Sequence, residues 1–235
     1  MLIEKYSFGT GDRFGKQGAA QLAAIMEMNR LGVPVVPVWN KSNREHHYIG
    51  SSPEAVPEIV RQAVSQAGYA GRYYIDADHV QIDTIDKFVP HCDFFTLDVA
   101  SYIGTPYEAS DMHEFLHTTR KFRGDFTLPV TGEVFRVTDD YLGEVARKYL
   151  KAMSEVGKMY RYLRKVKGEG RFITEVSVDE SDEVQSPVDL FFILAMLRVY
   201  DVEVQTLAPR FPGLFAKGID YIGNASEFMQ VFEQD

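Results

Sequence analysis

The 235-residue sequence has a single cysteine, Cys92. One thiol can close no intrachain disulfide and supplies no cysteine-based zinc motif, so Cys92 reads as a small core residue. Basic residues are in deficit: 25 lysines and arginines stand against 34 aspartates and glutamates, for a formal net charge of -9. A general nucleic-acid binder needs a basic face, and this balance argues against that partner. It leaves room for a small anionic ligand, because a pocket can be basic on an acidic protein. Long apolar runs are missing too. No stretch approaches the roughly 20 residues of a membrane-spanning helix, and Met1-Leu2-Ile3-Glu4-Lys5 has no apolar run of a signal peptide. The expectation is a cytoplasmic protein with no membrane partner, folded as one domain over residues 1–235.

What is present is an alternation of apolar β-type runs with amphipathic helical stretches. Strands are expected at 2–8, 33–39, 73–79, 94–99, 172–178 and 202–207. Helices are expected at 16–31, where Leu22, Ile25, Met26 and Leu31 fall near a helical period, and at 53–67, 82–89, 139–167, 187–200 and around Ser226. Pro53 and Pro187 suit first helical turns. Residues 9–15 form a glycine-rich turn. Between the fourth strand and the helix at 139 the alternation breaks. A helical piece over 112–123 and a hairpin over 126–137 read as an insertion, 105–137.

Strands separated by helices imply a parallel sheet with right-handed crossovers. An open doubly wound sheet and a closed barrel both satisfy that order. A full barrel takes eight units and about 250 residues. The fold expectation is therefore an α/β, (β/α) TIM-type barrel that is incomplete, with about six of eight units, or else an open sheet.

In parallel α/β proteins ligands sit at the carboxyl ends of the strands. Here five such ends carry polar groups: Asn40 to His47; Asp76, Asp78 and His79; Asp98; Glu175, Asp179 and Glu180; and Gln205 with Arg210. A lone acidic residue at a strand end is usually a cap or a surface charge. Five ends in parallel point to a site. Asp76-Ala77-Asp78-His79 is the densest. Carboxylate plus imidazole suits a divalent transition metal or zinc, while an N-cap by Asp78 and a surface histidine is the plain structural alternative. Alternation sets Asp76 and Asp78 on one face and His79 on the other, unless the strand end relaxes. Glu175 lies between Ile173 and Val176, where a carboxylate is costly unless paired, metal-bound or in a wet pocket. That makes it the strongest acid–base candidate. The run Gly9 to Gly15 matches neither the dinucleotide fingerprint nor the P-loop, so no nucleotide is inferred. Arg13 within it suits a carboxylate. His46 and His47 read equally as a loop pair. His91, His113 and His117 read as structural or surface residues.

Four segments resemble, in the same order, segments of the tagaturonate epimerase family: Ser7-Phe-Gly-Thr-Gly-Asp-Arg-Phe14, Asp76-Ala-Asp-His79, Glu175-Val-Ser-Val-Asp-Glu180 and Lys217-Gly-Ile-Asp-Tyr221. The resemblance runs over essentially the whole chain. It implies a metal-dependent epimerase that interconverts two keto-sugar acids, tagaturonate and fructuronate. Asp78 matches the proton acceptor, Glu175 the proton donor and His79 a ligand of a divalent metal, zinc or another transition ion. Lys217 and Asp220 fall near the substrate or metal, and Asn40 with Lys41, Arg44 or Arg13 would hold the substrate. Family members continue past the equivalent of Asp235 into a His-Ser-Gly-Ser-Asp-Lys segment whose histidine belongs to the metal site. The resemblance thus implies a shortened barrel with unpaired sheet edges and association with itself or with a complementing chain. A sugar-acid-binding fragment without turnover, and a metal-dependent aldolase or isomerase on the same fold, are the competing expectations.

Overall fold

A computed structural model describes residues 1–128, 132–181, 183–216 and 219–234. Packing divides the chain into two compact units. The first comprises Met1–Asp98, Met159–Glu175 and Val204–Thr206; the second comprises Val99–Lys158, Val176–Glu203 and Leu207–Asp235.

Six strands form one sheet: β1 (Ser7–Gly11), β2 (Val36–Ser42), β3 (Tyr74–Val80), β4 (Phe94–Asp98), β7 (Ile173–Ser177) and β8 (Thr206–Ala208), paired in that order. The pairs from β1 to β4 are parallel. Backbone bonds from Ile173 to Asp93 and from Val99 to Ser177 climb together, as do those from Gln205 to Thr174 and from Val178 to Ala208, so β7 and β8 continue the parallel order. Among the described residues, β1 and β8 are edges. The other pair, β5 (Gly124–Thr127) with β6 (Val134–Val137), is an antiparallel hairpin.

Several elements are displaced from their sequence-based positions. The first strand starts at Ser7 and takes in Gly9 and Gly11, so the turn is confined to the residues after them. The second begins at Val36 and runs through Lys41 to Ser42. The last is only Thr206–Ala208, and the helix expected at 82–89 is a single 3-10 turn, Ile85–Lys87. One helix was not anticipated, α2 (Asn43–Ile49). It is started by a capping box in which Ser42 accepts from the Glu45 N–H and Glu45 accepts from Ser42, and it is closed by left-handed Gly50. The remaining helices fall close to expectation: α1 (Gly18–Arg30), α3 (Ala55–Ala67), α4 (Ala109–Thr119), α5 (Asp139–Lys167), α6 (Pro187–Val199) and α7 (Ala225–Gln234).

In the first unit the two faces of the sheet differ in chemistry. Side chains alternate along a strand, and residues in parallel register share a face. On one face Val38, Tyr74, Phe94 and Ile173 form a buried apolar layer with Ile3 and Val36. Two residues further along each strand, that face carries Asn40, Asp76, Thr96 and Glu175. Apolar burial, about 1.5–3 kcal/mol per large side chain, thus underlies a polar layer set toward the carboxyl ends. The opposite face holds Trp39 and Lys41 against α1 and α3. Trp39 donates its indole N–H to Gln21 at 3.1 Å.

In the second unit, Phe122 of the chain after α4, Phe126 of the hairpin and Phe191 and Phe192 of α6 form an aromatic cluster with centroid separations of 4.6 to 6.5 Å. Such edge-on and tilted pairs add to simple area burial.

Candidate active site

The polar layer is built from β3, β4, β7 and β8. The Thr96 N–H donates to Asp76 Oδ1 at 3.1 Å, and the Thr96 hydroxyl lies 2.9 Å from Asp76 Oδ2 and 3.2 Å from Glu175 Oε1. The Thr206 hydroxyl donates to Glu175 Oε2 at 2.7 Å. Asp76 is buried. Burial first, and then the charges of Asp78 and Glu175, push its carboxyl well above the usual carboxylate range; the hydrogen bonds from Thr96 oppose this without overcoming it. The buried Cys92 thiol is pushed up as well, by burial first and then by the Asp76 and Asp93 charges.

Asp78 and His79 sit where β3 becomes irregular. Ala77 pairs with Phe95 and Val80 with Leu97, so β3 spends one more residue than β4 over the same rise, a bulge. His79 takes φ +50° there, a left-handed conformation that costs a non-glycine residue about 1–2 kcal/mol. The alternation is broken at this point, and His79 Nε2 stands 3.8 Å from Asp78 Oδ1. His79 Nδ1 is buried with no hydrogen-bond partner, a costly state for a polar atom. An imidazole nitrogen of this kind suits a metal. Yet among the described residues no three His, Cys, Asp or Glu side chains gather as a metal-binding group, short of the three or four donors usual for zinc. His79 by itself makes no such set.

The basic residues lie elsewhere in the unit. Lys41 is buried on the opposite face, and its Nζ donates to the carbonyls of Asp12 and Arg13 at 2.7 and 2.8 Å. It fastens the turn after β1. That turn is also organised by Asp12, whose carboxylate accepts backbone N–H groups of Phe14, Lys16 and Gln17. Partial burial acts against ionisation of Asp12, but the summed N–H bonds from Gln17, Lys16, Phe14 and Gly15 hold it below the usual range. Gly15 is required here: φ is +67°, and an added Cβ would lie 3.0 Å from Ile59 Cδ1. Arg13 is half-exposed, 4.0 Å from Glu45 and stacked over Tyr48. Arg44 is exposed on α2, and Asn40 lines a small cavity with Thr10, Trp39 and Lys41.

Asp76, Asp78, His79 and Glu175 are thus brought to one part of the first unit, while Lys41 is turned away from it. Gln205 is engaged structurally, accepting from Ile3 N–H at 3.0 Å. In the second unit, Arg210 reaches the Asp179 carbonyl at 3.2 Å and Asp220 is exposed. Lys217 lies outside the described residues. Sequence reasoning missed the roles of Thr96 and Thr206, and it gave Asp76 none of its own. The available signal was spacing: Thr96 stands two residues before Asp98 on β4, on the face of Asp76.

A parallel α/β sheet with acidic side chains grouped toward its carboxyl ends defines the class. A family model described as tagaturonate epimerase matches residues 1–235, and the chain belongs to that family. A curated relative, the tagaturonate/fructuronate epimerase of Thermotoga maritima, is 30% identical over 233 residues, covering 94% of this chain and 47% of that protein. The glycerol-complexed crystal structure of the fructuronate-tagaturonate epimerase of Cohnella laeviribosi superposes with a TM-score of 0.81 at 24% identity, covering 99% of this chain and 49% of that one. A native structure of the same protein gives a TM-score of 0.75. The chain spans about half the length of the relatives it matches.

Proposed function

We propose that this chain carries the acid–base half of a keto-hexuronate epimerase of the tagaturonate/fructuronate type, with Asp78 as proton acceptor and Glu175 as proton donor. The observation that carries the reading is the grouping of Asp76, Asp78 and Glu175 close enough for the latter two charges to act on the first, in a chain whose family is that of tagaturonate epimerase.

The chemistry of the substrates favours bond cleavage over direct deprotonation. The inverted carbon bears a hydroxyl β to the ketone, and its C–H is not acidified by the carbonyl. Asp78 takes the hydroxyl proton, the bond between that carbon and the carbon next to the ketone breaks, and the electron pair passes to the ketone oxygen as an enediolate. The aldehyde rotates, the bond re-forms on the other face, and Glu175 protonates the new alkoxide. A divalent cation, zinc or another transition metal, held in part by His79, would supply Lewis-acid stabilisation of oxyanion charge when bound. Arg13 and Arg44, with Asn40, are proposed to hold the substrate carboxylate and hydroxyls. Lys217 and Asp220 are proposed at the substrate through the family motif alone. The sheet is proposed to be the first six strands of a (β/α) barrel, with 105–137 as an insertion.

A second reading, binding of a sugar acid without turnover, is favoured by the lack of a three-donor metal group among the described residues. Metal analysis, calorimetric binding of tagaturonate and an epimerase assay separate the two. Conversion that Asp78→Asn and Glu175→Gln each abolish supports the epimerase; binding with no conversion supports the alternative. Conversion of simple ketoses in preference to keto-uronates would point to an aldolase or isomerase.

A further inference from the structure

We propose that Asp76 and Glu175 share one proton through the hydroxyl of Thr96, and that Asp76 is a positioning residue that passes this proton to Glu175, which then gives it up as an acid. The kinetic half of this rests on the epimerase reading; the shared proton does not.

The hydrogens at Thr96 are one too few for the contacts made there. The Thr96 hydroxyl has one, yet its oxygen is within hydrogen-bond distance of both Asp76 Oδ2, at 2.9 Å, and Glu175 Oε1, at 3.2 Å. The remaining oxygens are already served: Asp76 Oδ1 by the Thr96 N–H and Glu175 Oε2 by the Thr206 hydroxyl. With both carboxyls ionised, one carboxylate oxygen would face a hydroxyl lone pair in a setting that is buried at Asp76 and part-buried at Glu175, which is costly. One added hydrogen removes the conflict. Placed on Asp76 Oδ2, it is donated to Thr96 Oγ1, and Thr96 donates to Glu175 Oε1, giving an unbroken chain.

Asp76 is the member that keeps the hydrogen at rest. It is the buried one, with Asp78 on its own strand and Glu175 across the sheet both pressing toward its neutral form, and the Cys92 thiol beyond it. As the alkoxide forms, the Asp76 O–H bond breaks toward Thr96 Oγ1 while the Thr96 O–H bond breaks toward Glu175 Oε1, and Glu175 gives the proton so received to the alkoxide. One proton moves from Asp76 to Glu175, and Thr96 is unchanged. Over a turnover Asp78 gains the proton that the pair gives up, so the three carboxyls keep their total, and exchange with water resets them.

Three substitutions separate this relay from a structural role. Asp76→Asn keeps every hydrogen bond, because its amide accepts from the Thr96 N–H and donates to Thr96 Oγ1, but it has no proton to release. Thr96→Val removes the hydroxyl and leaves the backbone N–H. Thr96→Ser restores the hydroxyl. Infrared spectra of the full chain at neutral pH should show a buried carboxylic-acid C=O band that Asp76→Asn abolishes, Thr96→Val shifts and Thr96→Ser returns to its place. In the epimerase assay, Asp76→Asn and Thr96→Val should lower kcat on the order of 10- to 100-fold, within the range of general acid–base effects, with KM little changed and Thr96→Ser active. No acid band in the native chain, or a band that Asp76→Asn leaves intact, overturns the shared proton. Native kcat in Thr96→Val overturns the relay. If Asp76→Asn fails to fold, the Thr96 pair decides. A band that behaves as expected in a chain that converts no keto-uronate overturns the epimerase reading and leaves the shared proton standing.

Discussion

The Nζ of Lys41 lies 2.7 Å from the carbonyl oxygen of Asp12, on the face of the sheet opposite Asp76. A buried lysine used in this way holds backbone in place. Replacing it with methionine keeps the apolar stem and removes the donor. Lys41→Met should cost about 1.5–3 kcal/mol, the range for hydrogen bonds to a charged group, read as a lowered midpoint in denaturant unfolding. A substrate-binding lysine would instead raise KM with little change in stability, so unfolding and steady-state kinetics together assign the role.

Asp76 makes stability depend on pH in a defined direction. Its folded-state carboxyl is raised above the ordinary value of 3.8, so the folded chain binds a proton that the unfolded chain releases. Stability conferred by the neutral form is fully present below about pH 4 and declines as pH rises toward the folded value. Asp76→Asn, neutral at every pH, should match the native chain in thermal unfolding near pH 4 and exceed it increasingly toward neutral pH. A constant offset between the two would contradict this.

His46 works in the other direction. It is buried on α2, with Nδ1 bonded to the Ser51 hydroxyl at 2.8 Å and Nε2 without a partner. Burial first, then the nearby Lys41 charge, lowers it from 6.5 to about 4, against the pull of Glu45. The neutral ring is the one that fits. The stability it confers is complete above about pH 6.5 and is lost as pH falls toward 4. Unfolding midpoints should therefore drop over that interval, and His46→Gln should flatten the drop. A midpoint in the native chain that does not change between pH 6.5 and 4 would contradict it.

Much of this arrangement was legible in the sequence, and the gaps have physical causes. The long helix Asp139–Lys167 and the strand around Glu175 stand where periodicity put them, because a sustained apolar stripe and a short apolar run are strong local signals. Asp78 and Glu175 were visible as charges at strand ends. α2 was missed although Ser42-Asn43-Arg44-Glu45 spells a capping box; its chain of polar residues reads as loop when only apolar periodicity is followed. Lys41 falls on the face opposite Asp76 because β2 runs three residues past its apolar segment, to Ser42. The link from Asp76 through Thr96 to Glu175 depends on register between three strands, and the bulge at His79 depends on pairing with β4. Neither is written in local sequence.

The two edge strands carry a consequence for assembly. Among the described residues β1 pairs only with β2, and its Phe8 is exposed; unpaired edges of this kind invite pairing with another chain. We propose that the chain self-associates through them. Light scattering over a concentration series should show a mass above 26.7 kDa that falls on dilution, and Phe8→Lys should weaken it. A constant monomer mass would remove this expectation.

The most direct test of the account is solvent labelling during turnover. The purified chain, supplied with a divalent metal and tagaturonate in heavy water, should form fructuronate with no deuterium on the inverted carbon, and Asp78→Asn or Glu175→Gln should stop the conversion. No conversion under any metal, conversion that survives both substitutions, or deuterium on that carbon would contradict it.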